Sequence, residues 1–154
     1  MSSISPFLWF DSQAEEAAEF YVSLFPNSRV TNVARYPEGA PATAGSAMSV
    51  SFVLDGLEVQ ALNAGPMHPF TEAISFFVSV ETQDEVDRYW DALTGDGGEA
   101  GQCGWLKDRW GLSWQIVPSA LGRLLSDPDA ARASRVMQVM MGMQKLVVAE
   151  LEAA

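Results

Sequence analysis

The chain has 154 residues, 48% of them hydrophobic and 19% charged, with 20 acidic residues against 9 basic ones and a net charge of −11. That is the composition of one globular domain long enough to bury a core. So negative a surface repels phosphate backbones and anionic lipid heads, which argues against nucleic-acid and membrane partners. The lone cysteine, Cys103, excludes an internal disulfide and a cysteine-rich zinc site.

Ile4 to Phe10 is an apolar, aromatic run that reads as a strand. Ser12-Gln13-Ala14-Glu15 has the S-x-x-E form of a capping box, and Ala17, Phe20, Tyr21 and Leu24 follow at helical spacing until Pro26-Asn27. Arg29 to Tyr36 reads as a strand and Pro37 to Ser46 as a loop. Met48 to Leu54 and Leu57 to Leu62 read as two strands joined by a tight Asp55-Gly56 turn.

A second round follows. Ala73 to Val80 reads as a strand, and Thr82 to Glu85 as another capping box. Val86, Tyr89, Trp90 and Leu93 form a helical stripe, and strands are expected at Glu99 to Lys107 and Leu112 to Val117. After Pro118 the pattern changes to a short helix over Ser119 to Leu125. A long helix is then expected to be opened by Asp127-Pro128, with Met137, Met140, Met141, Gln144, Val148 and Leu151 along one stripe.

The two rounds superpose as a repeat. At an offset of 69, Phe7 meets Phe76, Tyr21 meets Trp90 and Leu24 meets Leu93; at 55, Gly56, Leu57 and Gln60 meet Gly111, Leu112 and Gln115. The capping boxes align at 70 instead. The expected architecture is a single α+β domain over 1–154. It comprises a first βαβββ module at 1–66, a second at 67–118 and C-terminal helices at 119–154.

A duplicated βαβββ module resembles the vicinal-oxygen-chelate superfamily of glyoxalase I, bleomycin-resistance proteins and extradiol dioxygenases. The segments PFLWFDSQAEEAAEFYVSLFPNS at 6–28, ALNAGP at 61–66, EAISFFV at 72–78, CGWLKDRWGLSWQIVP at 103–118 and MMGMQKLVVAELE at 140–152 are similar to its PhnB-like branch. Some proteins of that branch carry the name of a quinone-precursor methyltransferase, yet no glycine-rich turn suited to S-adenosylmethionine is visible here. The resemblance implies a U-shaped cup lined by both modules, and a homodimer with the tail helix at or near the interface. In metal-dependent members each module contributes one ligand from its first strand and one from its last, usually His and Glu. The repeat puts Pro6 and Ser75, with Gln60 and Gln115, at those positions. Such donors suit a divalent transition metal poorly, so neither metal nor cofactor is expected.

Strand alternation is expected to set Gln60, Ser75, Ser79, Ser113 and Gln115 beside Leu8, Phe10 and Phe77 on one side of the sheet. Phe7, Trp9, Phe76, Val78, Trp114 and Ile116 would then pack on the helices. Gln60, Ser75, Phe77, Ser113, Gln115 and Phe10 are thus the candidate ligand-binding residues of a small-molecule cup; the alternative is that their polar groups merely satisfy one another. Cys103 beside Trp105 reads as a nucleophile or a structural cysteine, and His68 as a general base or a surface-loop residue. Lys107-Asp108-Arg109 reads as turn chemistry with a local ion pair. The lead expectation is a small-molecule-binding protein without the usual metal ligands. The alternative is a lyase, isomerase or dioxygenase that uses an unrecognised metal site, Cys103 or His68. The N-terminus MSSISPFLWF lacks a signal peptide's pattern and no run spans a bilayer, so the cytoplasm is the expected compartment.

Overall fold

Aromatic and β-branched residues between glycine-rich turns form eight strands in the computed structural model, which describes residues 1–154 in two compact units, Met1–Pro69 and Phe70–Ala154. In the first unit β1 is Phe7–Phe10, α1 Ala14–Leu24, β2 Arg29–Arg35, β3 Ala47–Leu54 and β4 Leu57–Asn63. The sheet order is β1-β4-β3-β2, with β1 parallel to β4 and the other pairs antiparallel. The β3–β4 turn takes positive φ at both Asp55 (46°) and Gly56 (85°), the backbone that a two-residue hairpin with right-twisted strands requires. Ala14, Ala17, Ala18 and Tyr21 are the buried stripe of α1, and the Tyr21 ring lies 6.3 Å from that of Phe52 on β3.

The second unit repeats this plan with β5 at Phe76–Val80, α2 at Gln83–Thr94, β6 at Glu99–Ala100, β7 at Trp105–Lys107 and β8 at Ser113–Pro118, in the order β5-β8-β7-β6. The strand expected over Glu99 to Lys107 is two strands. Cys103 (φ 58°) and Gly104 (φ 85°) reverse the chain between them, so β6 pairs antiparallel with β7. The C-terminal helices are α3 (Ser119–Leu125), α4 (Ala130–Met141) and α5 (Val148–Glu152), and they belong to this second unit. Leu121, Leu124, Val136, Met143, Leu146 and Leu151 form their core.

Several expectations are corrected. Asp129, not Pro128, opens α4, its carboxylate accepting from the amides of Ala131 and Arg132. The long last helix stops at Met141, so the stripe does not run on, and Met137 and Met141 stay exposed. The segment 143–147 instead runs over the second unit: Cys103 and Gly104 donate their amides to the Met143 and Gln144 carbonyls, both at 2.8 Å.

The strand register also moves the repeat by one residue. Phe7 pairs with Gln60 and Phe77 with Gln115, so with the two glutamines equivalent the first strands align at an offset of 70, not 69. A one-residue slip exchanges the two faces of a strand. Leu8 and Phe10, expected on the polar side, are therefore buried on the helix side of β1, Phe10 with 3% exposure. Phe7, expected against the helix, is 57% exposed on the other face. For β5 and β8 the expected faces are the observed ones, with Phe76, Val78, Trp114 and Ile116 turned away from Phe77, Ser79, Ser113 and Gln115.

Candidate functional site

Each unit carries a polar pair on the face turned away from its helix. In the first, Gln60 on β4 donates Nε2–H to Ser5 Oγ, just before β1, at 3.2 Å. In the second, Gln115 on β8 donates Nε2–H to Ser75 Oγ, just before β5, at 2.9 Å. Ser5 and Ser75 sit in the repeated sequences Ile4-Ser5-Pro6-Phe7 and Ile74-Ser75-Phe76-Phe77, which align at the corrected offset of 70. The sequence position assigned to Pro6 therefore belongs to Ser5. Parallel pairing of the first strand with the last is what brings each serine beside its glutamine.

Two of the clefts lie on the same faces. Ser5, Arg29, Thr31, Glu58 and Gln60 line a hollow of about 320 Å³ in the first unit. The second unit has a larger cleft of about 470 Å³, lined by Glu72, Glu99, Gln102, Trp105, Lys107 and Ser113 together with main chain of the β6–β7 turn. Trp105 and Lys107 face it because β7 pairs Trp105 with Gln115 and Lys107 with Ser113. Ser113 is only 1% exposed and its hydroxyl has no hydrogen-bond partner in the protein. A buried hydroxyl in that condition is uncommon and calls for a partner, which a bound water or another molecule's polar group would supply.

Charge at this cleft is settled by one ion pair. Lys107 Nζ lies 2.5 Å from Glu72 Oε1. The hydrogen bond to Lys107 holds the Glu72 carboxyl below the ordinary glutamate value, and the same bond raises the Lys107 ammonium, with Glu99 adding a smaller push upward. The lysine charge is thereby matched by one carboxylate while a second, Glu99, stands at the same cleft.

Of the other candidates, the structure brings neither a base nor a free cation to Cys103. Lys107 pairs with Glu72, and Arg109 with Asp96 at 3.1 Å. Asp108 is buried and accepts from the amides of Trp110 and Leu112 and from Trp114 Nε1 at 2.9–3.0 Å, which fixes the turn. Cys103 is half-buried in the β6–β7 turn. His68 is exposed and stands edge-on to Trp9, ring centroids 4.8 Å apart. Sequence reasoning had singled out neither Glu72, Glu99 nor Lys107 as lining a cleft. Their alternation with buried Leu106 was the available signal for Lys107, but Glu72 lies outside any strand.

The family described as 3-demethylubiquinone-9 3-methyltransferase matches residues 2–117. A PhnB protein of Bacillus cereus is 32% identical, covering 77% of this chain and 100% of its own, with a TM-score of 0.71. The chain belongs to this PhnB-like family. A protein of Pseudomonas aeruginosa (20% identity, 77% and 98% coverage, TM-score 0.62) shares the fold. So does the fosfomycin resistance protein FosX of Listeria monocytogenes (14%, 82% and 98%, 0.58). No protein of curated function matches the sequence. In this PhnB-like chain the positions at which the resemblance implies metal ligands hold Ser5, Gln60, Ser75 and Gln115. Each glutamine is tied by hydrogen bond to its serine, and no imidazole or carboxylate stands among the four. Neutral hydroxyls and amides are weak donors for a divalent transition metal, so this donor set does not fit one.

Proposed function

We propose that this PhnB-like protein binds a small, partly apolar organic molecule on the concave face of its second unit, without a metal ion. The observation that carries the reading is the buried, unpartnered Ser113 hydroxyl at a cleft of about 470 Å³, within the range of small-molecule sites, beside the Trp105 side chain. The reading takes the protein as a cytoplasmic homodimer; no helix is long and apolar enough to cross a membrane. Methyl transfer has no support in the local geometry. The turns that lead from β1 into α1 (Asp11-Ser12-Gln13) and from β5 into α2 (Glu81-Thr82) contain no glycine. A dinucleotide-like cofactor site at a strand-to-helix turn needs such residues for close backbone approach.

The test is a fragment screen read by amide chemical shifts of isotope-labelled protein, run beside elemental analysis of untagged protein. Shifts clustered at Trp105, Lys107 and Ser113, with metal far below one ion per chain, are expected. A screen in which no fragment moves those amides defeats the reading. One transition-metal ion per chain would instead restore a metal-assisted enzyme as the leading account.

A further inference from the structure

The lining of the second unit's cleft states what kind of molecule it takes, given the small-molecule reading above. We propose that it selects a flat aromatic ligand carrying a cationic amine, and discriminates against carboxylates, phosphonates and other anions of the same shape. Three observations on one face carry this. Trp105 supplies an indole surface, on which flat rings and cations are both favoured. Ser113 supplies a hydroxyl, buried and without a protein partner, which can accept from an ammonium or donate to a neutral oxygen. Glu72 and Glu99 supply two carboxylates against the single ammonium of Lys107.

The Lys107–Glu72 pair decides the sign. An anion entering the cleft would have to take Lys107 from Glu72, which leaves a carboxylate facing both Glu99 and the newcomer. A cation needs no such exchange, because of the two carboxylates Glu99 is the one outside the Lys107–Glu72 ion pair. The first unit reverses this arrangement at the equivalent strand positions, with Arg29 where Glu99 stands and Val53 where Lys107 stands. The electrostatic preference therefore belongs to the second cleft in particular and is not a general effect of the chain's negative charge.

Three probes of one shape test it: 2-naphthylmethylamine, 2-naphthylmethanol and 2-naphthoate, each titrated into the full chain with amide shifts and tryptophan fluorescence as readouts. The amine is expected to bind at least about tenfold more tightly than the carboxylate, with the alcohol between them. Glu99→Gln should weaken the amine several-fold and leave the alcohol unchanged, which a bulk charge effect would not do. Ser113→Ala should weaken the amine and the alcohol together. Equal or tighter binding of the naphthoate overturns the inference while leaving small-molecule binding intact. An amine preference that Glu99→Gln leaves unchanged also overturns it. Should none of the three move the Trp105 and Ser113 amides, the inference fails. The wider reading fails with it only when the fragment screen is silent there too.

Discussion

Two buried polar side chains, Ser113 and Asn63, make opposite demands on their surroundings. Ser113 hides a hydroxyl that nothing in the protein satisfies, at a cost that typically falls near 1–3 kcal/mol for such a group. Ser113→Ala removes the unsatisfied group and little volume. Urea unfolding of the ligand-free variant is therefore expected to show stability unchanged or raised by about 1 kcal/mol. A loss above that size would mean the hydroxyl has a partner after all. Asn63 is fully engaged: Oδ1 accepts from the Ala14 amide at 2.8 Å, Nδ2 donates to the Ala47 carbonyl at 3.0 Å, and its own carbonyl accepts from the Tyr36 hydroxyl at 2.6 Å. Asn63→Ala orphans two buried backbone groups at once and should cost roughly 2–4 kcal/mol in the same assay. No local pattern announces Asn63, because its partners lie 49 and 16 residues away in the chain.

Helix starts show where local sequence reading succeeds and where it stops. Both S/T-x-x-E segments have the form of a capping box, yet only the second makes one. Thr82 Oγ1 accepts from the Glu85 amide, and Glu85 Oε2 accepts from the amides of Glu81 and Thr82 at 2.9 and 3.0 Å. In the first segment Arg35 draws Glu15 away into a bidentate ion pair, and Asn63 caps Ala14 in place of Ser12. Both competitors arrive through tertiary structure, so a four-residue motif could not reveal them. Thr82→Ala should destabilise by about 1 kcal/mol, whereas Ser12→Ala should do almost nothing. The backbone hydrogen bonds hold the Glu85 carboxyl below its ordinary value of 4.5. A lowered folded-state value means that the unfolded chain binds the proton more readily, so this contribution is complete above about pH 4.5 and fades as the pH falls below it. Comparing acid unfolding of the wild type and Glu85→Gln checks the sign: the two curves should converge at low pH and separate above 4.5. The same limit explains the strands. The repeat was legible, and so were the faces of β5 and β8. The one-residue choice between offsets was not, because Phe7 aligns as well with Phe76 as with Phe77, and only pairing with Gln60 and Gln115 separates them.

For the molecule as a whole, each unit ends its sheet on an edge strand, β1 in one and β5 in the other. Edges of this kind carry unpaired backbone donors and acceptors, and monomeric proteins normally blunt them with charge or proline. Here the repeated segments place Ile4 and Phe7, and again Ile74 and Phe77, in the open, with Phe77 at 61% exposure. Met137 and Met141 of α4 add adaptable apolar surface to the second unit. So much exposed apolar surface on a chain of net charge −11 suits a partner that covers it, and a second copy presents the same edges. The proposed homodimer should therefore appear as twice the chain mass of 16.7 kDa in light scattering after size exclusion. Like charges oppose the association, so the dimer should tighten as salt rises from low to physiological strength, the reverse of an interface built on ion pairs. Phe7→Ser combined with Phe77→Ser should shift the population toward monomer. A change of Met137 and Met141 to serine should do so only if α4 takes part, which separates the edge strands from the tail helix as the surface that holds two chains together. A wild type that stays at the monomer mass across the salt range, at concentrations well above those of the ligand titrations, would mean that the exposed Ile and Phe side chains serve some other purpose than self-association.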